Sequence, residues 1–171
     1  MSVFDYAMKM EIDGKAYYEK LARQTSLAGL RTIFTRLAED EQKHYEIFRA
    51  LQAGSKAPAM PESTALAEAR NIFAEWLKDA GSAAGSEDDL AAYRQAMKLE
   101  ADSFRLYEDA AAKEAVPGVR SLLLKIAGEE HKHFNILENI FHFVNAPNQY
   151  LAWGEFSNLD EFRQFGRQVD G

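Results

Sequence analysis

The sequence contains an internal repeat, in which residues near its start recur 89 positions later without a gap. The identical pairs include Met8 and Met97, Lys9 and Lys98, Glu11 and Glu100, Tyr18 and Tyr107, Glu19 and Glu108, Ala22 and Ala111, Gly29 and Gly118, Arg31 and Arg120, Ala38 and Ala127, Glu41 and Glu130, Lys43 and Lys132, His44 and His133, and Ile47 and Ile136. Shared helix composition alone does not produce such a run of identities, so we infer a duplication of one structural unit. The fold must therefore give both halves equivalent structures.

Within each half, apolar residues recur at steps of three and four, with charged residues between them. This period is typical of amphipathic helices, and segments rich in Gly, Pro, Ser and Asn end them. No alternating strand pattern occurs, which indicates an all-α protein. We predict long helices at about 3–24, 28–52, 88–114 and 118–144, and a further helix near 64–79.

The lengths of the connections predict how these helices are arranged. Short connections join the first two and the last two long helices, so each pair should form an antiparallel hairpin. The middle connection, about 53–88, is long enough to cross over, and its extra helix should pack on the bundle. Two hairpins and one long crossover are typical of the ferritin-like four-helix bundle, which we assign to residues 1–146.

Residues 147–171 are predicted to form a short, aromatic-rich helical tail. Its apolar stripe fits two roles equally well, packing on the end of the bundle or forming a dimer contact. We expect a homodimer.

Composition excludes several classes of function. The absence of cysteine excludes disulfides, zinc–thiolate sites and thiol chemistry, and it fits a reducing cytoplasm. A formal net charge of −7 without a large basic block argues against nucleic acid or an anionic membrane surface as the partner. No apolar tract is long enough to cross a bilayer. We therefore expect a cytoplasmic protein.

A Glu-x-x-His motif occurs twice in the predicted helices, at Glu41 with His44 and at Glu130 with His133. A single copy is usually part of a solvated helix face, but here each copy has a glutamate level with it on the preceding helix. Glu11 and Glu41 each lie 15 residues from a turn at residue 26, about 22 Å along the helix, and the second half repeats this relation. The candidate metal ligands are Glu11, Glu41, His44, Glu100, Glu130 and His133.

Four carboxylates inside a bundle would be strongly unfavourable without cations, because they would repel one another at low dielectric. Two divalent ions would balance their charge. Oxygen and nitrogen donors without sulfur suit iron or manganese, although zinc would bind such a site more tightly where it is available.

Several other polar residues lie near the candidate ligands in sequence. Tyr18 and Tyr107 each lie two turns from a ligand glutamate and lean toward it, so their hydroxyls are expected to bond ligand carboxylates. The alternative is that both are core tyrosines with other partners. Asp40 and Glu129 are candidate neighbours of the ligands. His131 points away from them and should be exposed.

The segments EDEQKHYE and GEEHKHFN, together with Glu11 and Glu100, resemble the di-iron ligands of the rubrerythrin branch of the ferritin-like superfamily. The resemblance covers about residues 3–144. It implies that Glu41 and Glu130 bridge the metals. It also implies that Glu11 and His44 complete one metal site, and that Glu100 and His133 complete the other.

Two differences from typical rubrerythrins limit this resemblance. Typical members have two glutamates one turn apart on the third long helix, whereas Glu100 has Met97 and Ser103 at those distances, which puts redox-linked ligand exchange in doubt. They also end in a rubredoxin domain that holds iron with four cysteines, and this sequence has none. The chain resembles the members without that domain, which implies an external electron donor such as a rubredoxin or a reductase.

The resemblance implies an oxidoreductase that contains two iron ions and reduces hydrogen peroxide or dioxygen. A second hypothesis is a ferroxidase or iron-handling protein, which passes ferric iron to storage. A third is a non-catalytic bundle whose site is filled by zinc.

Overall fold

The computed structural model of the protein describes residues 2–78, 87–145 and 165. Within these residues there are only helices and connections, so the all-α prediction is confirmed. Each predicted helix agrees with the observed one to within one residue at either end. The helices are α1 (Val3–Gln24), α2 (Ala28–Gln52), α3 (Ala65–Lys78), α4 (Glu87–Lys113) and α5 (Pro117–Asn145).

The four long helices form two hairpins, because three-residue connections leave no room for another path. Helix α1 packs along α2, and α4 packs along α5. The start of α1 is fixed by a capping box, in which Ser2 Oγ accepts from the Asp5 N–H at 3.2 Å and the Asp5 carboxylate accepts from the Ser2 N–H at 2.8 Å. The hairpins contact each other through α1 with α4 and α2 with α5, as in a ferritin-like bundle.

Helix α3 lies in the crossover and packs on α2 and α5. Phe73 is buried, and Trp76 stacks on Phe143 with ring centroids 4.9 Å apart. Gly29 permits this approach, because a Cβ there would lie 2.5 Å from Trp76 Cζ2. Helix α3 is therefore packed closely against the bundle.

Most of the predicted tail, 147–171, lies outside the described residues, so its helix, its packing and the domain boundary stay predictions. Phe165 is described, and its ring contacts that of Phe134 at a centroid distance of 4.9 Å. In the ranges that the structure describes, no helix has both the length and the apolar character needed to cross a bilayer.

Candidate metal centre

All six predicted ligands lie together in the interior of the bundle. Helices α1 and α4 each provide one glutamate, and α2 and α5 each provide a glutamate and a histidine. None of the six is more than 3% exposed. Charged side chains are almost never buried this completely without partners, so the cluster needs a compensating charge.

The six residues form two overlapping groups whose potential ligand atoms lie within 4.8 Å of one another. One group consists of Glu11, Glu41, His44 and Glu130, and the other of Glu41, Glu100, Glu130 and His133. Glu41 and Glu130 belong to both groups. This is the arrangement expected when two carboxylates lie between two cations and the other ligands lie at the ends.

The Nδ1 atoms of both imidazoles face this cluster. His44 Nδ1 lies 2.9 Å from Glu130 Oε1 and 3.4 Å from Glu11 Oε2. His133 Nδ1 lies 2.9 Å from Glu41 Oε1 and 3.2 Å from Glu100 Oε1. Each histidine therefore presents one nitrogen to the carboxylates of one group.

The Nε2 atoms point the other way and contact carboxylates from the opposite half of the repeat. His44 Nε2 lies 2.6 Å from Glu129 Oε2, and His133 Nε2 lies 2.9 Å from Asp40 Oδ2. A carboxylate on the outer nitrogen of a metal-binding histidine fixes the ring and its tautomer, with the inner nitrogen free for the metal. Asp40 and Glu129 are thus in the positions that the sequence suggested.

The two tyrosines make the same kind of crossed contact. The Tyr18 hydroxyl on α1 donates to Glu100 Oε1 on α4, and the Tyr107 hydroxyl on α4 donates to Glu11 Oε1 on α1 at 2.5 Å. The expected hydrogen bonds to candidate ligands are therefore present, although any part in catalysis stays a prediction. Burial, with the nearby carboxylates, raises the pKa of both tyrosines well above the ordinary value, so both remain protonated donors.

The electrostatics show how the chain balances the cluster by itself. Burial and repulsion from neighbouring glutamates raise the pKa values of Glu41 and Glu130 well above the ordinary value. Burial alone would lower the pKa values of His44 and His133, but the surrounding carboxylates raise both well above the ordinary value. The cluster therefore retains protons at neutral pH that bound cations would displace.

Five polar atoms of the cluster are buried and make no hydrogen bond of good geometry, although neighbouring ligand atoms lie as close as 2.9 Å: Glu11 Oε2, Glu41 Oε1, His44 Nδ1, Glu100 Oε2 and Glu130 Oε1. A buried polar group without a well-formed hydrogen bond costs about 1–3 kcal/mol, so five together would be a serious defect in a purely structural cluster. Every one belongs to a predicted ligand. The oxygen and nitrogen donors fit two divalent cations.

A cavity of about 60 Å³ lies beside the cluster, between α1 and α4. Its lining includes Gly14 and Ser103, which occupy equivalent positions in the two repeats, and also Tyr18 and the carboxylates of Glu41 and Glu100. In the sequence, Ser103 stands out only because typical rubrerythrins have a glutamate at this distance from Glu100. The presence of a small residue at both equivalent positions is the sequence feature that could have predicted this cavity.

The other two histidines, His131 and His142, are not part of the cluster. His142 is exposed. The expectation that His131 is exposed was wrong, because α5 turns this residue partly toward α4, where its ring lies 6.1 Å from that of Phe104.

Ser63 in the crossover was not identified from the sequence, although its hydroxyl donates to Asp40 and its N–H donates to Glu129 at 3.2 Å. It has no equivalent in the repeat, so no duplicated signal marked it.

An all-helical bundle with four carboxylates and two histidines at its centre defines a metal-binding protein of the ferritin-like class. The Rubrerythrin sequence profile matches residues 3–141, so the chain belongs to the rubrerythrin family, as the resemblance predicted. Membership implies a di-iron site, and the buried cluster is where such a site could be held. No significant match was found among curated proteins or among solved structures.

Proposed function

We propose that this chain is a di-iron oxidoreductase that reduces hydrogen peroxide or dioxygen with electrons from an external donor. The observation that carries the proposal is the pair of overlapping ligand groups sharing Glu41 and Glu130. In this proposal, Glu41 and Glu130 would ligate both metals, Glu11 and His44 would complete one site, and Glu100 and His133 would complete the other. Two ferrous ions held in this way supply the two electrons that cleavage of an O–O bond requires.

The surrounding residues support this reaction in three ways. Tyr18 and Tyr107 hold the terminal carboxylates of the opposite half by hydrogen bonds. Asp40 and Glu129 orient the imidazoles. Reduction of one peroxide to two water molecules also consumes two protons. Tyr18 lines the cavity, and because its single hydroxyl hydrogen is donated to Glu100 Oε1, its oxygen is left to accept a hydrogen bond from a peroxide O–H.

The cavity supports a small oxidant as the substrate. Its volume of about 60 Å³ suits a few small molecules such as peroxide or dioxygen, because a single water molecule needs about 10–15 Å³ by the same measure. In this proposal the electrons come from a rubredoxin or a reductase, since none of these 171 residues is a cysteine that could hold a rubredoxin iron.

Stopped-flow oxidation tests the proposal against its two competitors. The protein is loaded anaerobically with two ferrous ions per chain and mixed with peroxide or with dioxygen at equal concentration. We expect one peroxide to oxidise both irons without release of dioxygen, to react faster than dioxygen, and to turn over only while a donor returns electrons. Continued uptake of ferrous iron beyond two per chain, with faster oxidation by dioxygen, would instead identify a ferroxidase. Absence of redox turnover in iron-loaded protein, with tight zinc binding, would identify a non-catalytic bundle.

A further inference from the structure

Ser63 connects the outer parts of both halves of the cluster. It lies in the crossover just before α3, and its hydroxyl donates a hydrogen bond to Asp40 Oδ2. Its backbone N–H donates to Glu129 Oε1 at 3.2 Å. Asp40 holds His133, and Glu129 holds His44. One residue outside the repeat therefore contacts both carboxylates that orient the histidines.

The hydroxyl of Ser63 is itself fixed in direction. The N–H of Ala65, the first residue of α3, donates to Ser63 Oγ at 3.1 Å. A hydroxyl has one hydrogen to donate, so this contact leaves that hydrogen for Asp40. The start of α3 thus aligns Ser63 with the cluster, and α3 in turn is anchored by the ion pair of Glu68 with Arg36 on α2, at 2.8 Å.

We propose that Ser63 is a positioning residue of the metal centre, which orients His133 through Asp40 and His44 through Glu129. This inference rests on the metal site proposed above. The two contacts differ in chemistry: the one to Asp40 uses the side chain, whereas the one to Glu129 uses the backbone and survives substitution. Loss of the hydroxyl should therefore lower the metal affinity of the site that contains His133 and leave the other site unchanged.

Anaerobic titration with ferrous iron against a competing chelator tests the positioning role of Ser63 without any catalytic turnover. We expect Ser63→Ala to weaken one of the two ferrous sites about tenfold, the lower end of the effect of losing an outer partner of a metal-binding histidine. The other site should be unchanged. Ser63→Thr, which keeps the hydroxyl, should restore the native affinity.

Ser55→Ala is the matched control, because Ser55 is an exposed serine of the same crossover, and its backbone N–H donates to Ala50 O at 2.9 Å, away from Asp40 and Glu129. Its two iron affinities should equal those of the native protein. In an Asp40→Ala background, Ser63→Ala should have no further effect on iron affinity, since its target is gone.

Equal weakening of both sites, the same loss in Ser55→Ala, or no change in Ser63→Ala would each overturn the positioning role. Failure of the native chain to bind two ferrous ions would instead overturn the proposed function.

Discussion

Gly29 allows a sharp test of how the crossover packs, because the repeat supplies its own control. An added Cβ at Gly29 would lie 2.5 Å from Trp76 Cζ2 and 2.7 Å from Ile72 Cγ2, both on α3. Carbon atoms pack at about 3.5–4.0 Å, so α3 or its side chains would have to move by about 1 Å. At the equivalent Gly118, the second residue of α5, an added Cβ meets nothing within 4 Å.

The expected magnitudes follow from two opposing effects. Replacing Gly by Ala within a helix stabilises by up to about 1 kcal/mol at either position. Overpacking at Gly29 costs about 1–3 kcal/mol, whereas Gly118 has no such cost. Gly29→Ala should thus be about 1–3 kcal/mol less stable than Gly118→Ala, or roughly 2–12 °C lower in midpoint temperature.

Urea and thermal unfolding of the metal-free variants, followed by circular dichroism, measure this difference without interference from metal binding. Equal stability of the two variants, or greater stability of Gly29→Ala, would refute the packing argument. Such a result would mean that α3 lies farther from α2 than the structure shows.

Two further outcomes test the cluster directly. Replacing both Glu41 and Glu130 by alanine should abolish binding of both metal ions in equilibrium dialysis, and retention of two equivalents would refute their bridging role. The metal-free protein should lose stability as the pH rises above 6.5, the ordinary histidine value, because the raised pKa values of His44 and His133 mean that the folded state binds more protons than the unfolded state. Each such proton contributes up to about 1.4 kcal/mol per pH unit. Urea unfolding from pH 6.5 to 9 measures this loss, and a rise in stability over that range would contradict the reasoning.

Much of the fold could be predicted from the sequence, because local features determine it. The helix bounds follow from the apolar period and from the residues that break it, and short connections leave antiparallel hairpins as the only arrangement. The levels of Glu11 and Glu41 follow from the number of residues to the turn, since the helix rise is constant. These quantities depend on neighbouring residues in one hairpin.

Contacts between the hairpins could not be predicted in this way. The bond from Tyr18 to Glu100 and the contact of His133 with Asp40 depend on how two apolar faces dock, which residue spacing within one hairpin does not determine. The expectation that His131 is exposed was wrong for the same reason, because the burial of His131 depends on the position of α4. Ser63 depends in addition on the path of the crossover.

The crossed contacts make each half of the site incomplete by itself. The first hairpin provides Glu11, Glu41 and His44, but the fourth member of that ligand group, Glu130, comes from the second hairpin. The partners of His44 Nε2 and of the Glu11 carboxylate, Glu129 and Tyr107, also come from the second hairpin. Metal binding in this arrangement requires docked hairpins, so bound metal must stabilise the docked state by mass action. The duplication thus places the candidate metal site where the two hairpins meet, so that bound metal would favour their docking.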